Sequence, residues 1–204
     1  KNLAPYMPRK EWFKWTRVLL AFYESYFEYA YPFQIYSQIV VPNFNAGAME
    51  NVGAVTFTDR LIPRSKLITE SRKRDILNTL AHEMVHMWFG DLVTMKFWDD
   101  LWLKESFADM LSFHAMTKLE KELGIANTQL DLLARAEWGY LEDSLVTTHP
   151  IAVKEEEEKL TIGLAETFFD GISYAKGAAT LRQLMFYMGE TNFQKAIAHY
   201  FNSY

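Results

Sequence analysis

Apolar side chains recur at helical spacing near the start of the chain. Between residues 10 and 30 they follow one another every three or four positions, at Trp12, Trp15, Leu19, Phe22, Tyr23, Tyr26 and Phe27. This spacing places them on one face of a helix, and the turn-forming pair Tyr31-Pro32 follows directly. The pattern predicts a helix over residues 10–30.

The pattern then changes to short runs of β-branched and aromatic residues. Residues 34–41 and 52–58 have this composition and are bounded by proline, asparagine and glycine, which is typical of strands. They predict two strands of a small sheet. The loop between them carries Gly47-Ala48-Met49-Glu50-Asn51.

Helical spacing returns after Ser71. The first helix of this part is expected to stop at Gly90. The second is expected to begin at Asp99 or Asp100 as its cap and to run to about Leu123.

The last third of the chain continues in the same way. Helices are predicted at residues 126–143, 173–188 and from 191 onward, and the acidic run Glu155–Glu158 is expected to lie in a solvated loop without a function. The chain is therefore predicted to be a single α+β domain over residues 1–204, mostly helical, with a small amino-terminal sheet at about 33–58.

Composition narrows the range of partners. Half of the 204 residues are hydrophobic, which is enough for a substantial core, and the net charge is only -5. Because there is no basic cluster, neither nucleic acid nor an anionic membrane is expected as the main partner. No stretch approaches the roughly 20 apolar residues of a membrane span. Peptides and small solutes remain open as ligands.

The chain contains no cysteine, which excludes disulfides, thiolate metal ligands and a cysteine nucleophile. Any metal must be held by histidine and carboxylate groups. The lack of cysteine slightly favours a reducing cytoplasm but leaves the location open, because exported bacterial proteins also often lack it. Since the chain begins with Lys1 and ends in a helical pattern, it is expected to be a piece of a longer protein.

Two histidines four residues apart give the first indication of chemistry. In His82-Glu83-Met84-Val85-His86 they lie one turn apart on one face of the predicted helix, so both imidazoles can reach one ion. Chance also produces this pattern on ordinary amphipathic helices. Glu105 on the next helix can supply a third ligand, although it could instead be a surface carboxylate. Two histidines and one carboxylate leave the fourth zinc position to water, as in catalytic zinc sites.

Glu83 and Asp109 have candidate roles beside this metal. Glu83 directly follows His82, so its carboxylate can accept a proton from zinc-bound water as that water attacks a carbonyl. Asp109, one helical turn beyond Glu105, could orient a ligand histidine as a hydrogen-bond acceptor, or it could face solvent. The pattern predicts metal-dependent peptide hydrolysis.

Five segments of the chain, two of which contain the candidate metal ligands and Glu83, resemble the gluzincin aminopeptidases of the aminopeptidase N type. The matching segments are Gly47–Asn51, His82–Thr94, Trp98–Ala108, Thr148–Ile151 and Phe169–Ala178. The likeness runs from about Pro5 to the last residue. It implies a thermolysin-like catalytic domain with one zinc ion per chain. In that family this domain lies between an amino-terminal β-rich domain and a helical carboxy-terminal domain.

The resemblance also implies roles for residues that would face the substrate. Glu50 would pair with the substrate's ammonium group, while the backbone of Gly47, Ala48 and Met49 would lie along the substrate as an added strand does. Tyr174 would donate a hydrogen bond to the oxyanion opposite the zinc. Without the resemblance, Glu50 could be an ordinary loop residue and Tyr174 is one of 11 tyrosines.

Two residues next to the third ligand depart from the family's pattern. Lys104 stands where asparagine is usual, and Ser106 stands where glycine is usual. Lys104 could alter the charge preference for substrates or simply point to solvent, and the second is favoured. The related leukotriene epoxide hydrolases usually carry a glycine in place of Ala48, which argues against that activity.

The leading hypothesis is a zinc aminopeptidase that acts on peptides with a free amino terminus. A thermolysin-like endopeptidase would share the zinc chemistry without needing the Glu50 loop, and an acetyl-capped peptide would distinguish the two. In a third hypothesis the chain is an inactive or structural fragment in which zinc only holds helices together. The isolated chain is expected to be less active and less selective than the complete enzyme.

Overall fold

The computed structural model describes residues 3–152 and 166–203, so the acidic run Glu155–Glu158 lies outside the described residues. The helices are α1 Arg9–Phe27, α2 Glu70–Val85, α3 Leu101–Lys118, α4 Glu120–Leu123, α5 Thr128–Asp143, α6 Gly177–Met188 and α7 Glu190–Ser203. A π-helical turn, Ile172–Lys176, leads directly into α6. Single 3-10 turns lie at Ala4–Tyr6, Asp59–Leu61, Trp98–Asp100 and Glu166–Phe168. A mostly helical chain with one small sheet confirms the α+β class.

The sheet has three strands instead of the two predicted. They are β1 Ser37–Val41, β2 Ala48–Met49 and β3 Ala54–Thr58, in the order β1-β3-β2. β1 pairs in parallel with β3, and β2 pairs antiparallel with β3. Two paired residues are too few to show strand alternation in a sequence. In the described part of the chain β2 is an edge strand, and Glu50 follows it directly.

The core forms where α1 packs against α2 and α3. The Tyr23 hydroxyl donates a hydrogen bond 3.3 Å from the carbonyl oxygen of Ala81 and lies 3.4 Å from that of Leu111, so one buried side chain joins three helices. Trp12 is also buried, and its Nε1 donates to Oε1 of Gln38, which connects α1 with β1. Each large side chain buried in this way contributes about 1.5–3 kcal/mol to stability. The predicted first helix is confirmed.

The end of α2 corrects a prediction that matters for the site. The helix was expected to continue to Gly90 but ends at Val85, which leaves His86 at the helix cap. The chain then turns back, with the Asp91 amide donating to the His86 carbonyl oxygen at 3.0 Å. Gly90 adopts a φ of 129°, which residues with side chains rarely adopt. This turn directs the chain towards α3.

Two other helix predictions are also corrected. The helix expected to reach Leu123 is interrupted at Leu119, which separates α3 from α4. The segment expected to be α-helical from residue 173 begins with the π-helical turn, so α6 starts only at Gly177. Among the helices of residues 3–152 and 166–203, none combines the length and apolar character needed to cross a membrane.

Candidate active site

Two packed helices bring three potential metal ligands together. His82 lies in the last turn of α2, His86 at its cap, and Glu105 in the first half of α3. The two histidine Nε2 atoms are 3.1 Å apart, and Oε2 of Glu105 lies 3.3 Å from the first and 3.4 Å from the second. All three side chains are buried. The cluster therefore forms a closed triangle of donor atoms.

The chemistry of these donor atoms fits a bound cation. Nδ1 of His86 lies 2.9 Å from the carbonyl oxygen of Phe89. A carbonyl only accepts, so Nδ1 carries a proton, and in the neutral imidazole Nε2 presents its lone pair to the cluster. Oε2 of Glu105 is buried without a hydrogen-bond partner among the described residues. Ligands held about 2.0–2.1 Å from a tetrahedral zinc ion lie about 3.3 Å apart, which matches the triangle.

Charge within the cluster is balanced between acidic and basic groups. Burial alone would raise the pKa of Glu105, but the positive charges of His86 and Lys104 hold it well below its usual value. Burial would lower the pKa of His86, but the carboxylates of Glu105 and Glu50 raise it to about 9. The cluster thus keeps Glu105 ionised as an acceptor.

Glu83 is buried near the donor triangle and interacts electrostatically with His86 and Glu105. Burial, assisted by Glu50 and Glu105 and opposed by His86, raises the pKa of its carboxyl to about 8. Its Oε2 is buried and has no hydrogen-bond partner in the described ranges. A carboxyl group in this state can exchange a proton near neutral pH with a small molecule that enters the pocket.

Asp109 lies behind the donor triangle and is fully buried. Its Oδ1 is 4.0 Å from Nδ1 of His82, which is too long for a hydrogen bond. The nearer partner is Arg135 of α5, whose Nε lies 3.0 Å from both carboxylate oxygens and whose Nη2 donates to Oδ1 at 2.7 Å. The role of Asp109 as an acceptor for His82 stays a prediction.

Tyr174, in the π-helical turn, packs against the donor triangle. Its ring lies parallel to that of His82, with centroids 5.6 Å apart and an interplanar angle of 10°. Burial and the nearby carboxylate of Glu105 raise the pKa of its hydroxyl, so the phenol stays protonated and can donate a hydrogen bond.

Contacts between distant segments hold the turn that carries Tyr174. Oδ1 of Asp170 accepts from the amides of Ile172 and Ser173 at 3.0 Å, and the other oxygen of Asp170 lies 2.9 Å from Nε2 of His149. The Ser106 hydroxyl of α3 donates to the carbonyl oxygen of Ser173 at 2.6 Å. The residue before Tyr174 is therefore fixed to the helix that carries Glu105.

The surroundings of Lys104 correct the expectation that it points to solvent. Its Nζ donates to Oε1 of Glu50 and lies 3.2 Å from Oε1 of Glu105. The side chain turns inward because two carboxylates from separate segments attract it. The pKa of Lys104 is raised, since Glu105 and Glu50 together outweigh burial, which alone would lower it.

Comparison with known proteins identifies the family. Residues 13–204 match the peptidase family M1 domain. The chain belongs to peptidase family M1. It is 41% identical to aminopeptidase N of Streptomyces lividans over 202 residues. This aligned region covers 98% of this chain and 23% of that protein. Probable aminopeptidase 1 of Saccharolobus solfataricus is 42% identical, and tricorn protease-interacting factor F2 of Thermoplasma acidophilum is 41% identical, each over 93% of this chain and 23% of its own length.

This M1 chain thus spans about a quarter of the length of the curated relatives named above. Family membership confirms the resemblance inferred from the sequence motifs. Most of the residues predicted for the site lie close to one another, namely Glu50, His82, Glu83, His86, Glu105 and Tyr174.

Apart from Asp109, the remaining predicted site residues of the M1 chain lie along β2. Gly47 precedes it, and its carbonyl oxygen accepts from the amide of Thr58 at 2.9 Å, so this carbonyl faces β3. Ala48 and Met49 form the strand itself, with Ala48 opposite Phe57. Contact of these residues with a substrate stays a prediction.

Sequence reasoning missed Arg135 and the supporting pair His149 and Asp170. Arg135 lies on α5, far along the chain from Asp109, and nothing in its neighbours distinguishes it from a solvated arginine. His149 and Asp170 belong to segments that resemble the family, which was a usable signal, yet their mutual contact needed the tertiary structure.

Proposed function

We propose that this chain is the zinc-binding catalytic domain of an aminopeptidase, with a thermolysin-like fold, and part of a longer multidomain enzyme. Its substrates would be peptides with a free amino terminus. Membership of family M1 and the names of two relatives, aminopeptidase N and probable aminopeptidase 1, support the reaction class.

The observation that carries this proposal is that Glu50 lies close to Glu105 of the donor triangle. A single ammonium group, that of Lys104, touches both Glu50 and Glu105. An amino terminus bound at Glu50 would therefore lie beside the metal ligands, and only the first peptide bond would reach them. This geometry suits removal of one residue from the amino end.

His82, His86 and Glu105 would hold the zinc ion, because two imidazoles and one carboxylate are a ligand set of catalytic zinc sites. Bound zinc would supply a Lewis acid that polarises the scissile carbonyl and lowers the pKa of a water. Asp109 would support the ligand His82 from behind.

Glu83 would act as the proton carrier of the reaction. It would accept a proton from the attacking water and deliver it to the leaving amine, a role supported by its raised pKa of about 8 and its buried, unpaired oxygen among the described residues. Tyr174 would donate its phenolic proton in a hydrogen bond to the developing oxyanion, which its stacking on His82 supports.

The substrate backbone would bind along β2. Its position at the edge of the sheet in the described part of the chain supports pairing of Gly47, Ala48 and Met49 with an extended peptide. The carboxylate of Glu50, which follows the strand, would end this groove and limit binding to peptides with a free amino terminus.

A pair of anilides tests the proposal. Leucine 4-nitroanilide should be hydrolysed in a reaction that a chelator stops, whereas acetyl-leucine 4-nitroanilide should not. Glu50→Ala should raise KM for the free-amine substrate at least about tenfold, because a carboxylate partner of a buried ammonium is lost. The exposed Glu137→Ala serves as a matched control and should behave as the unchanged protein.

Three outcomes would contradict the proposal. Normal cleavage of the free-amine substrate by Glu50→Ala would show that Glu50 does not bind the amino terminus. Equal cleavage of free and acetylated substrates would instead favour the endopeptidase hypothesis. Zinc binding without hydrolysis of any peptide would favour a structural role.

A further inference from the structure

Lys104 brings an ammonium group to the subsite proposed for the substrate's amino terminus. Its Nζ donates a hydrogen bond to Oε1 of Glu50 and lies 3.2 Å from Oε1 of Glu105. The side chains of Lys104, Glu50 and Glu105 are only 12%, 13% and 2% exposed. The carboxylate of Glu50 is therefore already paired before a ligand arrives.

The group that Lys104 offers has the same chemistry as the amino terminus of a peptide. Each is a primary ammonium with three hydrogen-bond donors and no acceptor. Each needs an anionic partner once it leaves water, because an unpaired buried charge is strongly unfavourable. Both ammonium groups therefore need a carboxylate partner, and at this subsite that partner is Glu50.

Lys104 can also move away from Glu50. Its ammonium is carried on a flexible four-carbon stem, and the ring centroid of Phe169 lies 5.8 Å from Nζ. An aromatic face at this distance attracts a cation. Glu105 and Phe169 together can keep Lys104 partnered when another group takes its place at Glu50.

We propose that Lys104 is a specificity-determining residue that competes with the substrate's amino terminus for Glu50. The inference rests on the amine-binding role of Glu50 in the proposed function. Because Lys104 is tethered, its effective concentration at Glu50 is high. A substrate ammonium must displace it or share the carboxylate, and in the second case the two positive charges repel each other. The chain thus discriminates less sharply in favour of a charged amino terminus than it would without Lys104.

The quantity that tests this inference is the amine selectivity. It is kcat/KM for leucine 4-nitroanilide divided by kcat/KM for 4-methylpentanoyl 4-nitroanilide, which lacks the amino group. A change in the amount of folded or zinc-loaded protein affects both substrates equally and cancels in this ratio.

Three variants isolate the charge of Lys104. Lys104→Met removes the ammonium and keeps the length of the side chain, while Lys104→Asn removes it with a shorter polar group. Lys104→Arg keeps the positive charge and is the matched control. The selectivity should rise about tenfold in the first two variants, because the substrate's ammonium then no longer competes with the ammonium of Lys104 for Glu50. It should stay unchanged in Lys104→Arg.

Two results would overturn the inference. An unchanged selectivity in Lys104→Met and Lys104→Asn would show that Lys104 does not compete. A lower selectivity would show that Lys104 instead holds Glu50 in place for the substrate. Either neutral variant decides the question if the other fails to fold.

Glu50→Ala separates failure of this inference from failure of the proposed function. If Glu50→Ala removes the amine selectivity and the Lys104 variants do not change it, only the inference is wrong. If Glu50→Ala leaves the selectivity as it was, the proposed role of Glu50 is wrong as well.

A binding measurement gives the same information without turnover. Leucine hydroxamate and 4-methylpentanohydroxamate both carry a group that binds zinc, and they differ only in the amino group. The binding selectivity is the dissociation constant of 4-methylpentanohydroxamate divided by that of leucine hydroxamate, measured by calorimetry on the zinc-loaded protein. It should rise in Lys104→Met, as the kinetic selectivity does. An unchanged ratio would overturn the inference even for a chain that does not hydrolyse anilides.

Discussion

The two halves of the candidate site are built in different ways. The half proposed to bind the metal, the metal-binding half, comes from α2 and α3, which are consecutive helices packed side by side. The half proposed to contact the substrate, the peptide-facing half, comes from distant parts of the chain, with Glu50 after β2 and Tyr174 in the π-helical turn before α6. The first half needs only helical spacing and one helix contact. The second depends on several long-range contacts, so it should be more sensitive to changes elsewhere.

Removal of the metal should have the largest effect, because it breaks the metal-binding half. A chelator should reduce anilide hydrolysis below detection, and added zinc should restore it. The chelator should also lower the Tm, because an ion that binds only the folded chain stabilises the folded state by mass action. Turnover and thermal unfolding measure these effects. Full activity in excess chelator would exclude a metal-dependent reaction.

Glu83→Gln should have the next largest effect and should separate metal binding from chemistry. The amide cannot take up the proton, so kcat should fall by about 10²–10⁴-fold. The zinc content should stay at one ion per chain, measured by atomic absorption, because the donor triangle is unchanged. The exposed Glu137→Gln is the control. Loss of zinc in Glu83→Gln would mean that Glu83 belongs to the metal-binding half.

Tyr174→Phe should damage only the peptide-facing half. Loss of one hydrogen-bond donor to the oxyanion should lower kcat by about 10²-fold, with zinc content and KM nearly unchanged. Tyr140→Phe on the exposed face of α5 is the matched control. A kcat equal to that of the unchanged chain would remove Tyr174 from the reaction.

Gly177→Ala should have a smaller effect, on stability and on the placement of Tyr174. A Cβ at residue 177 would lie 1.9 Å from Oγ and 2.9 Å from Cβ of Ser106, so α3 and the start of α6, which directly follows the π-helical turn, would have to separate. We expect a loss of about 1–3 kcal/mol in the free energy of unfolding, measured by denaturant titration.

Ser106→Gly in the same chain should restore part of the stability lost in Gly177→Ala, because it removes both clashing atoms but also the hydrogen bond to the Ser173 carbonyl oxygen. Gly139→Ala is the milder control, since its Cβ would approach no atom closer than 3.1 Å. If Gly177→Ala is as stable as the unchanged chain, the contact between α3 and the π-helical turn does not constrain Tyr174.

The environment of Lys104 shows why one of the sequence predictions was wrong. Its position on α3 follows from helical periodicity, but periodicity cannot show which other segment faces it. Glu50 comes from a different part of the chain, and only their approach in the folded protein turns a supposed surface lysine into a buried ion pair. Arg135 was missed for the same reason, because its partner Asp109 lies on another helix.

The short elements of the site were equally hard to predict. β2 contains two residues, and the π-helical turn contains five. Neither is long enough to give a periodic pattern of its own. Both are held by partners far away in the sequence, namely β3 for the first and Ser106 for the second.

The sequence by itself determined the helical class, the M1 resemblance and the set of metal-binding candidates, because helical spacing and motif order are properties of neighbouring residues. The tertiary structure alone decided that His86 ends its helix, that β2 forms a sheet edge in the described part, and that Lys104 pairs with Glu50. These features depend on contacts between segments that only folding brings together. The interaction energies of such contacts cannot be read from the order of neighbouring residues in the sequence.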